Sequence, residues 1–392
     1  ELDEVRAVVA ASEQAARQSG PARDVAPLLD GDADPDFDAP AAATEIGVFA
    51  RLTDELAGAV QSGAGELLYG FAEHRLETTW LASSTGLRRR WVQPTGTVEV
   101  NAKVADDLTR SAWAGAYTAD FADLEFPALV AELRRRLGWS QRQVELPAGR
   151  YQTILPPSAV ADLMLYMVWS MDGRPAHEGR SAFAAPGNGP GGTRLGERLT
   201  KLPLTLFSDP RIQQPPGLQT APFLVTTASA DSVSAFDNGA AMDRVEWLRD
   251  GTINALTYPR AAAQELGGHY TPPAENLILT GGEAGSIDEL VARTDRGLLL
   301  TCLWYIREVD PVSLLLTGLT RDGVYLIEGG EVVGQVNNFR FNESPIDLIR
   351  RVAEVGTTER ALCREWKDWF ARTAMPPMRI PDFNMSSVSP AS

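Results

Sequence analysis

The chain carries three histidines, His74, His177 and His269, and no two lie close together in sequence. A zinc hydrolase built on a helix needs two histidines on one face, with a glutamate beside the first. The single His-Glu pair, His177-Glu178, follows a long apolar segment and has no second histidine within reach on it. His177, Glu178 and a cysteine could form a composite metal site; a His-Glu pair at a loop edge is the plainer alternative. The two cysteines, Cys302 and Cys363, are far apart. Cys302 sits in the apolar run LLLTCLWYI, which marks a core thiol rather than a nucleophile.

Other nucleophile patterns fail. There is no Gly-x-Ser-x-Gly elbow and no Ser-x-x-Lys pair. Gly187-Asn188-Gly189-Pro190-Gly191-Gly192 formally matches the dinucleotide fingerprint. That motif needs a strand before it and a helix directly after it. Here the helical segment comes first and Pro190 interrupts the cradle, so a surface loop is expected. Asn337, Asn338 and Arg340 place three polar side chains in one strand-like run, QVNNFRFNESP. They are candidate cavity-facing residues; the alternative is that the amides satisfy turn backbone. His177, Glu178 and Arg180 form a second candidate group. Trp304 and Tyr305 beside Arg307 suggest an interface patch, with core packing as the simpler explanation. From the residues alone no catalytic constellation is visible.

The elements that would hold these residues follow from periodicity. The 392 residues suggest two domains, with boundaries at 1–148 and 149–392. The first 18 residues have Leu2, Val5, Val8 and Val9 on one helical face. Residues 19–44, rich in Pro, Asp, Gly and Ala, read as a surface loop or semi-ordered linker. A helix follows over 47–61. From Glu66 to Val104, short runs rich in Thr, Val and Trp, separated by Ser-Ser-Thr-Gly and Pro-Thr-Gly, predict a strand meander. Phe126–Leu137 reads as a helix. AVADLMLYMVWSM, over 159–171, is apolar nearly all round and predicts a buried central helix with Ser158 as its cap. Beyond residue 200, strands predominate, Phe223–Thr227 and Glu331–Phe341 among them, with helices at 286–294 and 345–355.

Composition narrows the function classes. The formal net charge is −16, from 52 acidic against 36 basic residues, which argues against nucleic acid as a main partner. The dense run Arg88-Arg89-Arg90 reads as a solvated face. Two thiols make no disulfide framework, and the chain reads as cytoplasmic. No segment reaches the ~18–20 apolar residues of a membrane span. The acidic, helical N-terminus is not a secretory signal and lacks an initiator Met, so a processed or trimmed start is expected.

Several segments, in order from about Glu66 to the C-terminus, resemble the TldD/PmbA (TldE) family of peptidase subunits. These are LYGFAEHRLETTWLASSTGLRRR, LPAGRYQTILPPSAVADLMLYMVWS, GGTRLGERLTKLPLTLFSDP, FDNGAAMDRVEWLRDGTINAL and TGLTRDGVYLIEGGEVVGQVNNFRFNESPIDLI, with MPPMRIPDFNMSSVS fitting the final strand. The resemblance implies an N-terminal α/β domain joined to a C-terminal domain dominated by antiparallel sheet, an α/β (α+β) chain, with the family's first strand and helix missing or shortened. In TldD-type subunits the buried helix carries HExxxH, and a cysteine near the C-terminus completes the zinc set. Here the helix has no His and no Glu; its one carboxylate is Asp162. Cys363 lies at about the position of the family's cysteine and reads as a remnant.

The resemblance therefore implies the zinc-free TldE side of a heterodimeric metallopeptidase: no cofactor on this chain, zinc on an HExxxH partner, and an enclosed chamber for unstructured peptides. A strand edge within 200–341 would grip the peptide. Two other readings stay open: a stand-alone peptidase with a non-standard site, and a non-enzymatic peptide-binding module.

Overall fold

The computed structural model describes residues 2–63, 65–187 and 191–390. Asn188, Gly189 and Pro190 of the glycine-rich loop lie outside the described residues. The first part of the chain contains α1 (Leu2–Ser19), α2 (Ala50–Ser62), β1 (Glu66–Ala82), β2 (Arg88–Val104), β3 (Asp107–Thr118) and α3 (Phe126–Trp139). α1 forms where the periodicity predicts it, but it buries no residue, and Leu2, Val5, Val8 and Val9 are all exposed.

β1, β2 and β3 make a three-stranded antiparallel sheet in that order. The β1–β2 hairpin runs unbroken from Glu66↔Val104 to Ala82↔Arg88, turning at the expected Ser84-Thr85-Gly86. Pro94-Thr95-Gly96 is not the expected turn. It lies inside β2, with Pro94 opposite Leu76. The reason is positional: β3 pairs with β2 only from Gly96↔Thr118 onward, so Pro94, which has no N–H to give, sits where one edge of β2 has no strand beside it. Alternation sets the two faces. Val98, Val100 and Ala102 of β2 and Leu68 and Ala72 of β1 join Leu52, Val130 and Leu133 from α2 and α3 in one core. Tyr69, Phe71, Glu73, Arg75 and Glu77 therefore point the other way.

Residues 20–44 are irregular but tied down. Asp34 accepts from the Arg90 backbone N–H at 2.9 Å and from Arg89 Nη1 at 3.2 Å. Asp36 pairs with Arg90 at 2.7 Å, and Arg88 donates to the Ser83 and Leu87 carbonyls. The basic run is thus not a solvated face: the acidic segment neutralises it, and the Arg90 side chain keeps only 9% of its exposure.

The rest of the chain supplies β4 (Gln143–Val144), β5 (Gly149–Leu155), α4 (Pro157–Trp169), α5 (Gly173–His177), β6 (Thr205–Ser208), β7 (Val245–Arg249), β8 (Thr252–Ile253), α6 (Arg260–Leu266), β9 (Leu277–Thr280), α7 (Ile287–Ala292), β10 (Arg296–Asp310), β11 (Leu315–Glu328), β12 (Glu331–Val336), β13 (Phe339–Glu343), α8 (Pro345–Arg351), β14 (Glu354–Val355), β15 (Glu359–Ala361), β16 (Thr373–Met375) and β17 (Met378–Val388). The expected strand at 223–227 is instead a loop with one bridge, Phe223↔Ala241. The expected single strand 331–341 is broken at Asn337-Asn338.

The larger sheet has eight strands, and its pairings close a circuit: β10–β5, β5–β17, β17–β13, β13–β11 and β11–β10. The smaller sheet has six strands in the order β15-β16-β9-β6-β7-β8. The architecture is mixed α+β with mainly antiparallel sheets, as the sequence implies. α4 is buried almost all round, in one core with Leu206 and Leu279 of the small sheet and Leu300 and Phe383 of the large one. Its N-cap is Pro156, not Ser158; the Ser158 hydroxyl instead donates to the Thr301 carbonyl at 3.3 Å. Among the described residues no helix is long and apolar enough to cross a membrane.

Candidate functional site

α4 brings Asp162 to the centre of the C-terminal part, where it is fully buried. Its carboxylate accepts two backbone N–H groups, from Arg364 at 3.3 Å and Glu365 at 3.0 Å. The segment that offers these amides is the one that carries Cys363. The structure thus brings together Asp162, on the helix that carries HExxxH in TldD-type subunits, and Cys363, at about the place of the family's cysteine. Burial pushes the Asp162 carboxyl well above its ordinary range, the two amides opposing it. Burial likewise pushes the Cys363 thiol well up, with the Asp162 charge adding to the shift. The Cys363 thiol donates to the Phe370 carbonyl at 2.9 Å.

These residues do not fit a zinc ion. Zinc takes deprotonated thiolate and three further donors at tetrahedral spacing. Here the carboxylate accepts two backbone amides and the thiol is turned to the Phe370 carbonyl. Among the described residues no three His, Cys, Asp or Glu side chains stand together as a ligand set. His177 is not near this pair: its ring meets the Tyr258 hydroxyl at 3.2 Å.

Beside Cys363, Arg364 is buried with its guanidinium between two indoles, 5.2 Å from the Trp113 ring centre and 5.0 Å from that of Trp304. Its Nη1 lies 2.5 Å from Asp322 Oδ2 and 2.7 Å from Cys302 Sγ. Burial works against the charge, but Cys302 and Asp322 outweigh it and hold the guanidinium firmly protonated. Cys302 is fully buried and its thiol is pushed up to about 11, first by burial, in line with a core thiol. Asp322 also accepts from the Ser111 hydroxyl at 2.9 Å, tying β3 to β11.

Glu365 faces the opposite way. Its carboxylate accepts the Tyr305 N–H at 2.7 Å and the Ile306 N–H at 3.1 Å, and pairs with Arg307 at 2.8 Å. These contacts pin an irregularity of β10, where the register against β11 jumps between Trp304 and Arg307. Tyr305 there adopts φ of +53° and stays exposed, with Arg307 over its ring. Trp304 and Tyr305, read together from the sequence as a patch, therefore separate: Trp304 packs on Arg364 and Tyr305 meets solvent.

The other candidates fall in two places. Glu178 accepts from Arg23 and Arg180, and Arg180 also pairs with Asp231 at 3.4 Å. Glu178 and Arg180 thus belong to a surface network that reaches Arg23 of the 20–44 segment, while the His177 ring turns to Tyr258 instead. Asn337 and Asn338 line a cavity of about 360 Å³. Asn337 Oδ1 accepts the Leu146 N–H at 2.8 Å, and Asn338 Oδ1 accepts from Thr320 at 3.2 Å. Arg340 is exposed and donates to Thr317 Oγ1 at 3.3 Å. Sequence reasoning missed Arg364, Asp322, Trp113 and Glu365. The signal lay in CREWKDWF, where charges and indoles alternate too densely for a plain surface.

Two cavities open on the outer face of the N-terminal sheet. One, of about 390 Å³, is lined by Glu73, Arg75 and Glu77 of β1 together with Glu275, Trp369 and Arg372. Glu275 keeps a solvent-facing surface at this recess, yet protein surrounds it closely enough that burial raises its carboxyl. The other, of about 310 Å³, is lined by Tyr69, Asn101, Lys103, Leu108, Arg321, Asp322 and Arg364. Among the described residues β1 pairs only with β2, so its 17 residues form a long free edge. The edges of the six-stranded sheet, β15 and β8, have three and two residues. The long edge is thus in the N-terminal sheet rather than within 200–341.

Residues 148–387 match the family described as the PmbA/TldA metallopeptidase C-terminal domain. The fold is similar to that of TldE from Thermococcus kodakarensis, with TM-score 0.74 and 15% identity over 98% of this chain and 85% of that one. It is also similar to a proposed modulator of DNA gyrase from Thermotoga maritima, with TM-score 0.71 and 17% identity over 95% and 82%. A third similar structure is a proposed modulator of DNA gyrase from Bacteroides thetaiotaomicron, with TM-score 0.67 and 15% identity over 92% and 76%. No curated protein matches the chain significantly.

Proposed function

Because the chain belongs to the TldD/PmbA metallopeptidase family, we propose that it is the metal-free, TldE-type half of a heterodimeric zinc peptidase acting on unstructured peptides. The observation that carries this reading is the state of α4. Where a catalytic subunit needs two histidines and a glutamate, this chain presents Asp162, and both neighbouring amides of the Cys363 segment are bonded to it. Such a centre stabilises the fold and leaves no open coordination position. The zinc and the water it activates then come from an HExxxH partner. This chain closes the chamber and positions the peptide, in the cytoplasm. Backbone pairing along the free edge of β1 gives a grip without sequence preference. Asn337 and Asn338 keep a place in the proposal as the polar lining of their cavity, with Arg340 exposed nearby on β13.

The test is co-expression with the nearest-encoded HExxxH protein, purification through a tag on this chain, and measurement of zinc per complex. One retained partner and about one zinc, lost when the partner's histidines are changed, is the expected result. This chain purifying alone with stoichiometric zinc would overturn it.

A further inference from the structure

The cavity walled by Tyr69, Leu108 and Lys103 differs in charge from the rest of the molecule. The chain has 52 acidic and 36 basic residues, yet three of the residues lining this cavity are cations, Lys103, Arg321 and Arg364, and one is an anion, Asp322. Asp322 is answered from within: one oxygen lies 2.5 Å from Arg364 and the other accepts from Ser111. Arg364 and Asp322 therefore cancel at the floor. Among the described residues the Lys103 side chain makes no hydrogen bond or ion pair, and the one ionic neighbour of Arg321 is Asp322, at 3.8 Å. Two cationic side chains are left facing an open recess, above a guanidinium whose position two indoles fix.

The walls beside these charges are apolar. Tyr69, near one end of the long edge of β1, is 53% exposed, and Leu108, at the start of β3, is 51% exposed. A volume of about 310 Å³ holds a carboxylate and one side chain. We propose that this cavity binds a peptide carboxylate, with Lys103 and Arg321 as the paired cations and Tyr69 and Leu108 receiving the attached apolar group. This rests on the reading that the chain handles peptides. It places the carboxylate end of an extended peptide at the Tyr69 end of β1, so that the peptide runs along the edge toward Glu73 and Glu77. Lysine and arginine suit this task because their charge meets a carboxylate directly, and arginine can do so through two N–H groups.

The test uses the full-length chain and dansyl-Ala-Ala-Ala-Leu as free acid and as amide, titrated at low salt. The acid form is expected to bind about fivefold tighter, the size two partly exposed charge contacts give. Lys103→Met together with Arg321→Met should bring the acid down to the amide's affinity and leave the amide unchanged; a thermal melt confirms that this variant is folded. Equal binding of acid and amide, unaltered by the substitutions, overturns the proposal while leaving peptide handling intact. Failure of both forms to bind the chain and its co-purified complex removes the peptide reading and this proposal with it. Dansyl-Ala-Glu-Ala-Leu-amide separates the two sources of carboxylate. If it matches the free acid and weakens in the double variant, the site takes acidic side chains as well as chain ends.

Discussion

Asp162 Oδ1 accepts the backbone N–H of Glu365 at 3.0 Å, across 203 residues of sequence. With the Arg364 amide on the other oxygen, this contact fastens α4 to the segment that carries Cys363, Arg364 and Glu365. Replacing Asp162 by Ala leaves two enclosed amides without acceptors. The expected loss is about 1–3 kcal/mol for each orphaned donor, read as a lower urea midpoint with an unchanged slope. An Ala variant as stable as the parent would show that water or a shifted loop satisfies those amides.

Glu365 transmits the same anchor outward. Its carboxylate, 8% exposed, meets two backbone amides and Arg307. Glu365→Ala should destabilise the chain by about 1–3 kcal/mol, since it leaves two backbone amides without their acceptor, whereas Arg307, 52% exposed, turns to solvent. It should also free Tyr305 from its φ of +53°, a conformation that costs an ordinary residue ~1–2 kcal/mol. Proteolysis near 304–307 that is absent in the parent would report that release; an unaltered digestion pattern would mean that β11 alone holds the irregularity.

The part of this arrangement that could be read from sequence is the part set by local pattern. α4 was legible because thirteen consecutive residues are apolar but for a few, although its start at Pro157, capped by Pro156, lies two residues before the expected one. α7 was legible because Ser286 and Glu289 form a capping box, with contacts of 3.3 and 2.7 Å. Pro94 misled, since a turn and a strand with an open edge tolerate proline equally well, and only the length of β3 decides between them. Arg364 was invisible for a different reason. Charged residues are seldom buried without partners, and its partners Asp322, Trp113 and Trp304 come from three distant strands. The same holds for the Arg88-Arg89-Arg90 run, whose acidic cover sits more than fifty residues earlier.

Gly173 offers a packing test. It opens α5, and a Cβ built there would fall 2.0 Å from the Tyr258 ring. A rigid aromatic ring cannot yield that distance without displacing the Thr257–Tyr258 backbone, which bonds to Met171 and Gly173. Gly173→Ala is expected to cost about 1–3 kcal/mol by overpacking. Combining it with Tyr258→Ala should recover much of the loss from Gly173→Ala, because the clash then has no second partner. A purely additive double variant would place the strain in the backbone instead.

Asp172, just before Gly173, makes stability depend on pH. Its carboxyl is pushed up to about 7, first by burial and second by the Asp231 charge. In the unfolded chain the same group titrates near its ordinary 3.8. The folded protein therefore favours the neutral acid, and the resulting contribution is complete below pH 3.8 and is lost progressively as pH rises through about 7. Asp172→Asn removes this titration and stays neutral throughout. The melting temperature of the variant should exceed that of the parent, by a margin that widens between pH 5 and pH 8 and is constant above that. The neighbouring charges Arg174, Asp231 and Glu265 shift the whole curve but not the sign of the difference. A margin that stayed flat from pH 5 to pH 8 would mean that Asp172 reaches solvent and titrates as it does in the unfolded chain.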